Sequence, residues 1–333
     1  MSLSGSLIQG TADGPPLPAQ LPLRLSIFSP EGALVESFNA TSGPDYRYNF
    51  PDLPRYEGHF YSIAATWAGL EQSTLPFKPD ELDAQGGVLD FPLYEVSDSL
   101  GNVLGSRGNL RIEFSETATV GLWILMEMAY TNLGDRIVLA NANTPLAESF
   151  TLELPVGAYG LSFEEAPGGR QRYAEVAAVN GMPIPGIRDT QPLVPNWPHL
   201  MRASFFLPYE NGAVIDFRFP FPVTDFGVFV REDRVILEGD LFQQTEQTET
   251  TSGKVYRLYV QARPLEAGEA FKFTLLGRPV ETLRPSPAAD SGLAVSNLFI
   301  GLGLGMLLVI GGLILWLVSA RRAAQHDRRS EPR

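Results

Sequence analysis

The chain has 333 residues, room for two or three domains, and contains no cysteine, which excludes a disulfide framework, a zinc ribbon and a thiol nucleophile. Its net charge of −13 is uneven: residues 321–333 hold Arg321, Arg322, Arg328, Arg329 and Arg333 against Asp327 and Glu331, a net +3, so the residues before them carry −16. A body this acidic lacks the basic footprint that nucleic acid requires, and anionic lipid headgroups would repel it.

The composition favours strands. With 20 Phe and 11 Tyr the chain is rich in residues that suit half-buried pleated surfaces, and 27 Pro and 32 Gly punctuate turns. Met1 leads into residues that already read as a strand. Residues 21–28 alternate, with Leu21, Leu23, Leu25 and Ile27 on one face and Arg24 and Ser26 on the other. Period-two alternation marks a half-buried strand. Similar runs cover 110–114, 122–130, 150–154, 215–221, 255–260 and 271–275. Between such runs stand the turn clusters Gly43-Pro44-Asp45, Gly86-Gly87, Pro167-Gly168-Gly169, Asn211-Gly212 and Ser252-Gly253. Many short strands with this punctuation predict β-sandwiches.

A first domain is expected over 1–95. Residues 5–11 (GSLIQGT), 46–50 (YRYNF) and 61–63 (YSI) resemble three stretches of the carboxypeptidase regulatory-like domain, a small transthyretin-like sandwich. In place of that family's Asp-Gly turn the chain has Gly43-Pro44-Asp45. The resemblance implies a structural or accessory module and brings no catalytic residue. A second β-sandwich is expected over 96–280, where residues 132–136 (NLGDR) read as a turn between strands. With the first domain it is similar to uncharacterised bacterial membrane-anchored proteins that place a regulatory-like domain before a second β-domain.

Residues 281–296 read as a Pro-rich, semi-extended juxtamembrane linker. The stretch from Leu298 to Val318 then runs 21 residues without a charge, enough for a helix to cross a bilayer. A transmembrane helix is expected over 297–319, with Trp316 at the interface and Arg321 and Arg322 opening a basic tail, 320–333. The positive-inside rule puts that tail in the cytoplasm and the bulk of the chain outside the cell membrane. Exported chains begin with a signal peptide, so one is expected to be missing from this sequence; the competing topology is a tail anchor with its bulk in the cytoplasm. Gly301 and Gly305 form a GxxxG pair, a candidate helix-packing face.

Three histidines, His59, His199 and His326, stand in no metal-ligand spacing, and no nucleophile elbow or phosphate loop appears. Carboxylates gather in predicted loops at Asp80, Glu81 and Asp83, at Glu164 and Glu165, and at Glu238 and Asp240. They match no calcium motif and read as a solvated acidic surface. Phe217, Phe219 and Phe221 fall on one face and read as core. Trp197 and Tyr209, beside Pro198 and Pro208, read as loop residues and are the candidates for surface recognition.

The sequence therefore predicts an all-β chain, two β-sandwich domains followed by a single C-terminal transmembrane helix, with no cofactor. The function expected is a non-catalytic interaction protein that presents β-sandwiches to an envelope partner. The alternatives are a polysaccharide- or peptide-binding surface protein, and a hydrolase whose site assembles around His59 or His199 from distant residues.

Overall fold

The computed structural model describes residues 1–114, 121–142, 147–163, 172–177, 179, 184–231, 235–251 and 254–277. Over these residues the chain is almost entirely β. The expected linker, membrane helix and basic tail, with Leu298, Gly301, Gly305, Trp316, Val318, Arg321, Arg322 and His326, lie outside the described residues, as do Glu164, Glu165 and the turns at 167–169 and 252–253. Among the described residues no helix is long and apolar enough to cross a membrane.

The N-terminal strands are β1 (Leu3–Gln9), β2 (Pro22–Phe28), β3 (Leu34–Thr41), β4 (Arg47–Phe50), β5 (Phe60–Trp67) and β6 (Leu70–Ser73). A short helix α1 (Pro79–Asp83) and β7 (Phe91–Leu93) follow. One sheet runs β4-β1-β7 and another β3-β2-β5-β6. Their inward residues meet in one core: Leu3, Leu7, Tyr48, Phe50 and Phe91 from the first, Leu23, Leu25, Ile27, Tyr61 and Ile63 from the second. The alternation predicted for residues 21–28 holds, because a side-chain period of two sends Leu23, Leu25 and Ile27 to the same face. Gly5 is required by close approach: a Cβ there would lie 1.8 Å from the Leu89 carbonyl oxygen, which accepts a hydrogen bond from the Tyr48 hydroxyl. Asp80, Glu81 and Asp83 sit in the helical turn α1 and not in a loop; Asp80 and Asp83 both bind the Arg55 guanidinium. Pro at the first helical position and the Glu81 carboxylate, which accepts from the Lys78 N–H, start that turn.

Next in the chain are β8 (Val96–Ser97), β9 (Val103–Phe114), β10 (Gly121–Asn132) and β11 (Ile137–Val138). Then come β12 (Phe150–Glu153), β13 (Tyr159–Phe163), β14 (Tyr173–Val176), β15 (Gly186–Asp189) and β16 (Pro198–Pro208). The last are β17 (Ala213–Arg218), β18 (Phe226–Arg231), β19 (Ile236–Glu238), β20 (Phe242–Thr251), β21 (Lys254–Gln261) and β22 (Ala270–Leu276). A seven-stranded sheet, β13-β16-β10-β9-β18-β21-β20, faces a six-stranded one, β14-β15-β12-β17-β22-β19, across a second core. Ile124, Met126, Phe205 and Val228 come from the first sheet; Leu152, Phe217, Phe271 and Leu275 come from the second. At its centre the Phe271 ring lies 4.6 Å from that of Phe226 and 4.9 Å from that of Phe242. Phe217, Phe219 and Phe221 are all buried in this core, although β17 itself ends at Arg218. Gly108 leaves room for the Phe226 ring, whose carbons would otherwise lie 2.4 Å from a Cβ.

The two cores draw on residues 3–93 and 103–275, and a compact polar junction joins them. Thr11 is buried; its hydroxyl donates to the Asp135 carbonyl at 2.8 Å and accepts from the Glu95 N–H at 2.9 Å. The Asp135 carboxylate accepts from the Ala12 N–H at 2.8 Å. Asp135 lies in the turn expected at 132–136, which the buried Asn132 side chain builds: its oxygen accepts from Gly134 N–H, and its nitrogen donates to the carbonyls of Arg136 and Leu193. Strands β8 and β11 pair in parallel beside it. Thr11→Val keeps the shape and removes both hydroxyl bonds, leaving two partly buried backbone groups, the Asp135 carbonyl and the Glu95 N–H, without this partner. A loss of about 1–3 kcal/mol is expected in denaturant unfolding, and a change below a few tenths would show that the junction contributes nothing to stability.

Candidate functional site

Two places gather chemistry. The first is a buried ionic cluster in the second core. Asp189 closes β15 and is fully buried. Its carboxylate accepts from Arg172 Nε at 3.1 and 3.2 Å, from Arg172 Nη2 at 2.7 Å and from the Tyr130 hydroxyl at 2.6 Å. The Gln191 N–H adds a fourth donor group at 3.1 Å. Tyr130 comes from β10 and Tyr173 from β14; their hydroxyls lie 3.2 Å apart, and that of Tyr173 donates to the Leu200 carbonyl. The guanidinium of Arg172 lies over both tyrosine rings, 5.9 and 5.3 Å from their centres.

His199, at the start of β16, completes the cluster. Its ring stacks on Tyr130 at 5.5 Å, and its Nδ1 accepts from Arg172 Nη2 at 2.9 Å. Arginine can only donate, so Nδ1 is unprotonated and the neutral ring carries its proton on Nε2. Burial, and then the Arg172 charge, push the imidazole down to about 3. Nε2 is buried and finds no hydrogen-bond partner among the described residues. Burial raises the Tyr173 phenol to about 12 and the Tyr130 phenol well above its ordinary value. Burial alone would weaken the charge of Arg172; the Asp189 hydrogen bond, together with the attraction of Tyr130, Asp189 and Tyr173, outweighs it and holds the guanidinium protonated. These proton-bearing atoms face one another across the core, so the cluster serves to tie β10, β14, β15 and β16 together.

The second place is an open groove of about 610 Å³ on the outer side of the six-stranded sheet. Its rim carries Asp98, Glu148, Glu153, Arg188 and Arg218. Arg188 Nε lies 3.0 Å from Glu148 Oε2, but that nitrogen makes no aligned hydrogen bond. Arg218 Nη1 stands 3.5 Å from Glu153 Oε2. The groove exists because the ladder between β12 and β17 is a single residue pair, Glu153 with Arg218. Continuing that register sets Pro220 opposite Thr151, and proline has no N–H to donate.

Neither place contains the predicted recognition pair. Trp197 is half-buried in the turn before β16, as a loop residue should be. Tyr209, in contrast, is a core residue: it is 5% exposed, packs edge-on against Phe114 at 5.0 Å, and donates from its hydroxyl to the Gly277 carbonyl at 2.8 Å. A ring that follows an inward-pointing position on a long strand is drawn into the apolar interior, and its hydroxyl finds a backbone acceptor there. His59 is partly exposed, 5.1 Å from the Tyr56 ring, and far in kind from His199: its Nδ1 contacts only the Glu57 carbonyl. The groove went unseen in sequence because its residues come from seven separate stretches. The one local signal was Phe219-Pro220-Phe221, where a proline interrupts a strand pattern.

No family model and no curated protein matches the chain. Among solved structures, an M1 zinc metallopeptidase from Deinococcus radiodurans is similar at 13% identity and a TM-score of 0.31 over 52% of this chain and 42% of that one. A putative protease from Parabacteroides distasonis is similar at 11% identity and 0.27, over 54% and 41%. BcpA, the major pilin subunit of Bacillus cereus, is similar at 7% identity and 0.19, over 83% and 86%. The chain spans less than half the length of these peptidase chains.

Proposed function

We propose that this chain is a non-catalytic, extracytoplasmic interaction protein of a bacterial cell envelope. In this reading a regulatory-like sandwich, residues 1–95, and a second sandwich, residues 96–280, are held at the membrane by the helix at 297–319, with the Arg-rich tail inside. The observation that carries the binding role is the contrast between the two charged places. The cluster around Asp189 spends its hydrogen bonds internally, whereas the groove above β12 has a buried guanidinium nitrogen, Arg188 Nε, without an aligned hydrogen bond, and an exposed carboxylate, Asp98, without an ion-pair partner among the described residues. An open, polar-rimmed concavity on a rigid sheet is what a partner's segment needs, and the junction at Thr11 supports presentation of both units as one arm.

Protease shielding on intact cells, with tags at both ends, tests the topology. Cleavage of the N-terminal region from outside with protection of the tail is expected. Protection of the N-terminal region would place the bulk of the chain in the cytoplasm and remove the envelope partner. Crosslinking in native membranes then tests the interaction: a reproducible adduct with an envelope protein is expected, and purification without any adduct counts against the role.

A further inference from the structure

We infer that the end of the second sandwich nearest Gly277 rests in the interfacial layer of a zwitterionic lipid bilayer. This builds on the membrane-anchored reading above and adds a second contact with the same membrane.

The second sandwich has two poles. Strand β10 runs between them, about 40 Å for its twelve residues. At one pole Asn132 builds the turn that meets Thr11 of the first unit through Asp135. At the other, Leu122 pairs with Leu207 and with Phe114. Phe114 packs on Tyr209, whose hydroxyl donates to the Gly277 carbonyl. Gly277 N–H in turn donates to the Asn211 side chain. The chain therefore passes out of the sandwich at the pole opposite the first unit. Residues 278–297 separate Gly277 from the uncharged stretch that starts at Leu298.

Apolar groups collect at this exit pole. Val156, in the turn before β13, is 79% exposed, and Tyr159, which opens β13, is 46% exposed. The exposed Val214 and Ile236 flank the end of β22, opposite Thr274 and Leu276. Val255 is exposed beside Lys254, whose ammonium donates to Glu113. On the seven-stranded sheet a row of rings crosses the same pole: Tyr159 pairs with Phe206, and Phe206 with Trp123. The first two rings stack at 5.7 Å. Alternation puts Phe206 and Trp123 on the outer face, where both are partly exposed, since Phe205, Leu207, Leu122 and Ile124 take the inner one.

An exposed apolar patch marks a contact surface, and its place selects the occupant. Tryptophan and tyrosine beside aliphatic groups are what a membrane interface gathers, with the ring body toward the acyl chains and its polar tip toward the headgroups. The anchor 298–318 would hold the bilayer at high effective concentration, so a small patch suffices. A body of −16 is repelled by anionic headgroups, which leaves neutral ones. The same charge opposes pairing with a second copy.

The test reconstitutes the full chain in phosphatidylcholine liposomes that carry a nitroxide quencher at headgroup level. The chain has four tryptophans; comparison with Trp123→Phe isolates Trp123, and comparison with Trp316→Phe isolates the anchor. Trp123 is expected to be quenched by the lipid and shielded from aqueous iodide. Val156→Glu combined with Tyr159→Lys alters two exposed positions and leaves the net charge unchanged. It should abolish lipid quenching of Trp123 and leave that of Trp316. Quenching of Trp123 that survives this pair would come from tethering alone and overturn the inference. So would a Trp123 shielded from iodide yet untouched by the lipid quencher, because a second copy or another protein then covers the rings. If Trp316 is quenched while Trp123 is open to iodide, this inference fails and the anchor stands. If neither is quenched, both fail.

Discussion

Replacing Asp189 by leucine should cost about 3–5 kcal/mol of stability, because it leaves the Arg172 guanidinium buried without its counter-charge. Asp189 is fully buried, and it receives Arg172, Tyr130 and the Gln191 amide at once. Four donor groups on three residues would lose their acceptor together. Chemical denaturation followed by near-ultraviolet circular dichroism reads the effect, since Tyr130 and Tyr173 sit inside the cluster. The double variant Arg172→Met with Asp189→Leu should recover a substantial part of the loss. A buried ion pair gains little over well-packed apolar side chains, and most of the single-variant penalty comes from the stranded partner. A single variant within about 0.5 kcal/mol of the wild type, the range of ordinary surface changes, would mean that Arg172 escapes to solvent and the cluster holds nothing together.

Acid should destabilise the second unit through His199. Its folded-state imidazole sits at about 3, below the value near 6.5 of an exposed histidine. Between those values the unfolded chain takes up a proton that the folded chain refuses. Stability is therefore full above about pH 6.5 and falls as the pH drops toward 3, by up to about 1.4 kcal/mol per pH unit from this one group. The groups that face the ring are Arg172, which donates to it, and Tyr130, which stacks on it; both oppose a positive charge there or fail to help it. His199→Gln offers Arg172 a neutral acceptor and no titration. Stability curves of wild type and variant should converge as the pH falls from 6.5 to 4, with the wild type losing its lead. Parallel curves would show that His199 takes up its proton as readily in the folded chain as in the unfolded one, and that the buried ring does not resist protonation.

The strands were legible because their signal is local. Alternation in residues 21–28 puts Leu23, Leu25 and Ile27 in the core, and the same rule buries Phe217, Phe219 and Phe221. Gly86 and Gly87 adopt the left-handed backbone, with φ of 73° and 75°, that their pairing in a turn predicts. Asn132 builds the expected turn through its own side chain. In the stretches that carry the resemblance, Gly5, Thr11, Tyr48, Phe50, Tyr61 and Ile63 are all interior, where their side chains or close approaches pack the first core.

The sites were not legible, and the reason is the range of the interactions. Tyr209 looks like a loop aromatic beside a proline until β22 brings the Leu275 and Gly277 carbonyls to its hydroxyl. Asp189, Arg172 and His199 each look like scattered surface residues, because their sequence carries no hint that β10, β14, β15 and β16 converge. The carboxylates Asp80, Glu81 and Asp83 read as a loop cluster, since the five residues of the helical turn are too few for a helical period to show. The groove depends on where one ladder stops, and that depends on Pro220 arriving opposite Thr151 in a register fixed by distant strands. Residue patterns of period two thus settled which faces turn inward, because that choice is made within one strand. Which strands become neighbours, which charges are buried together and where a ladder stops short were decided only by the packing of two sheets over a common core.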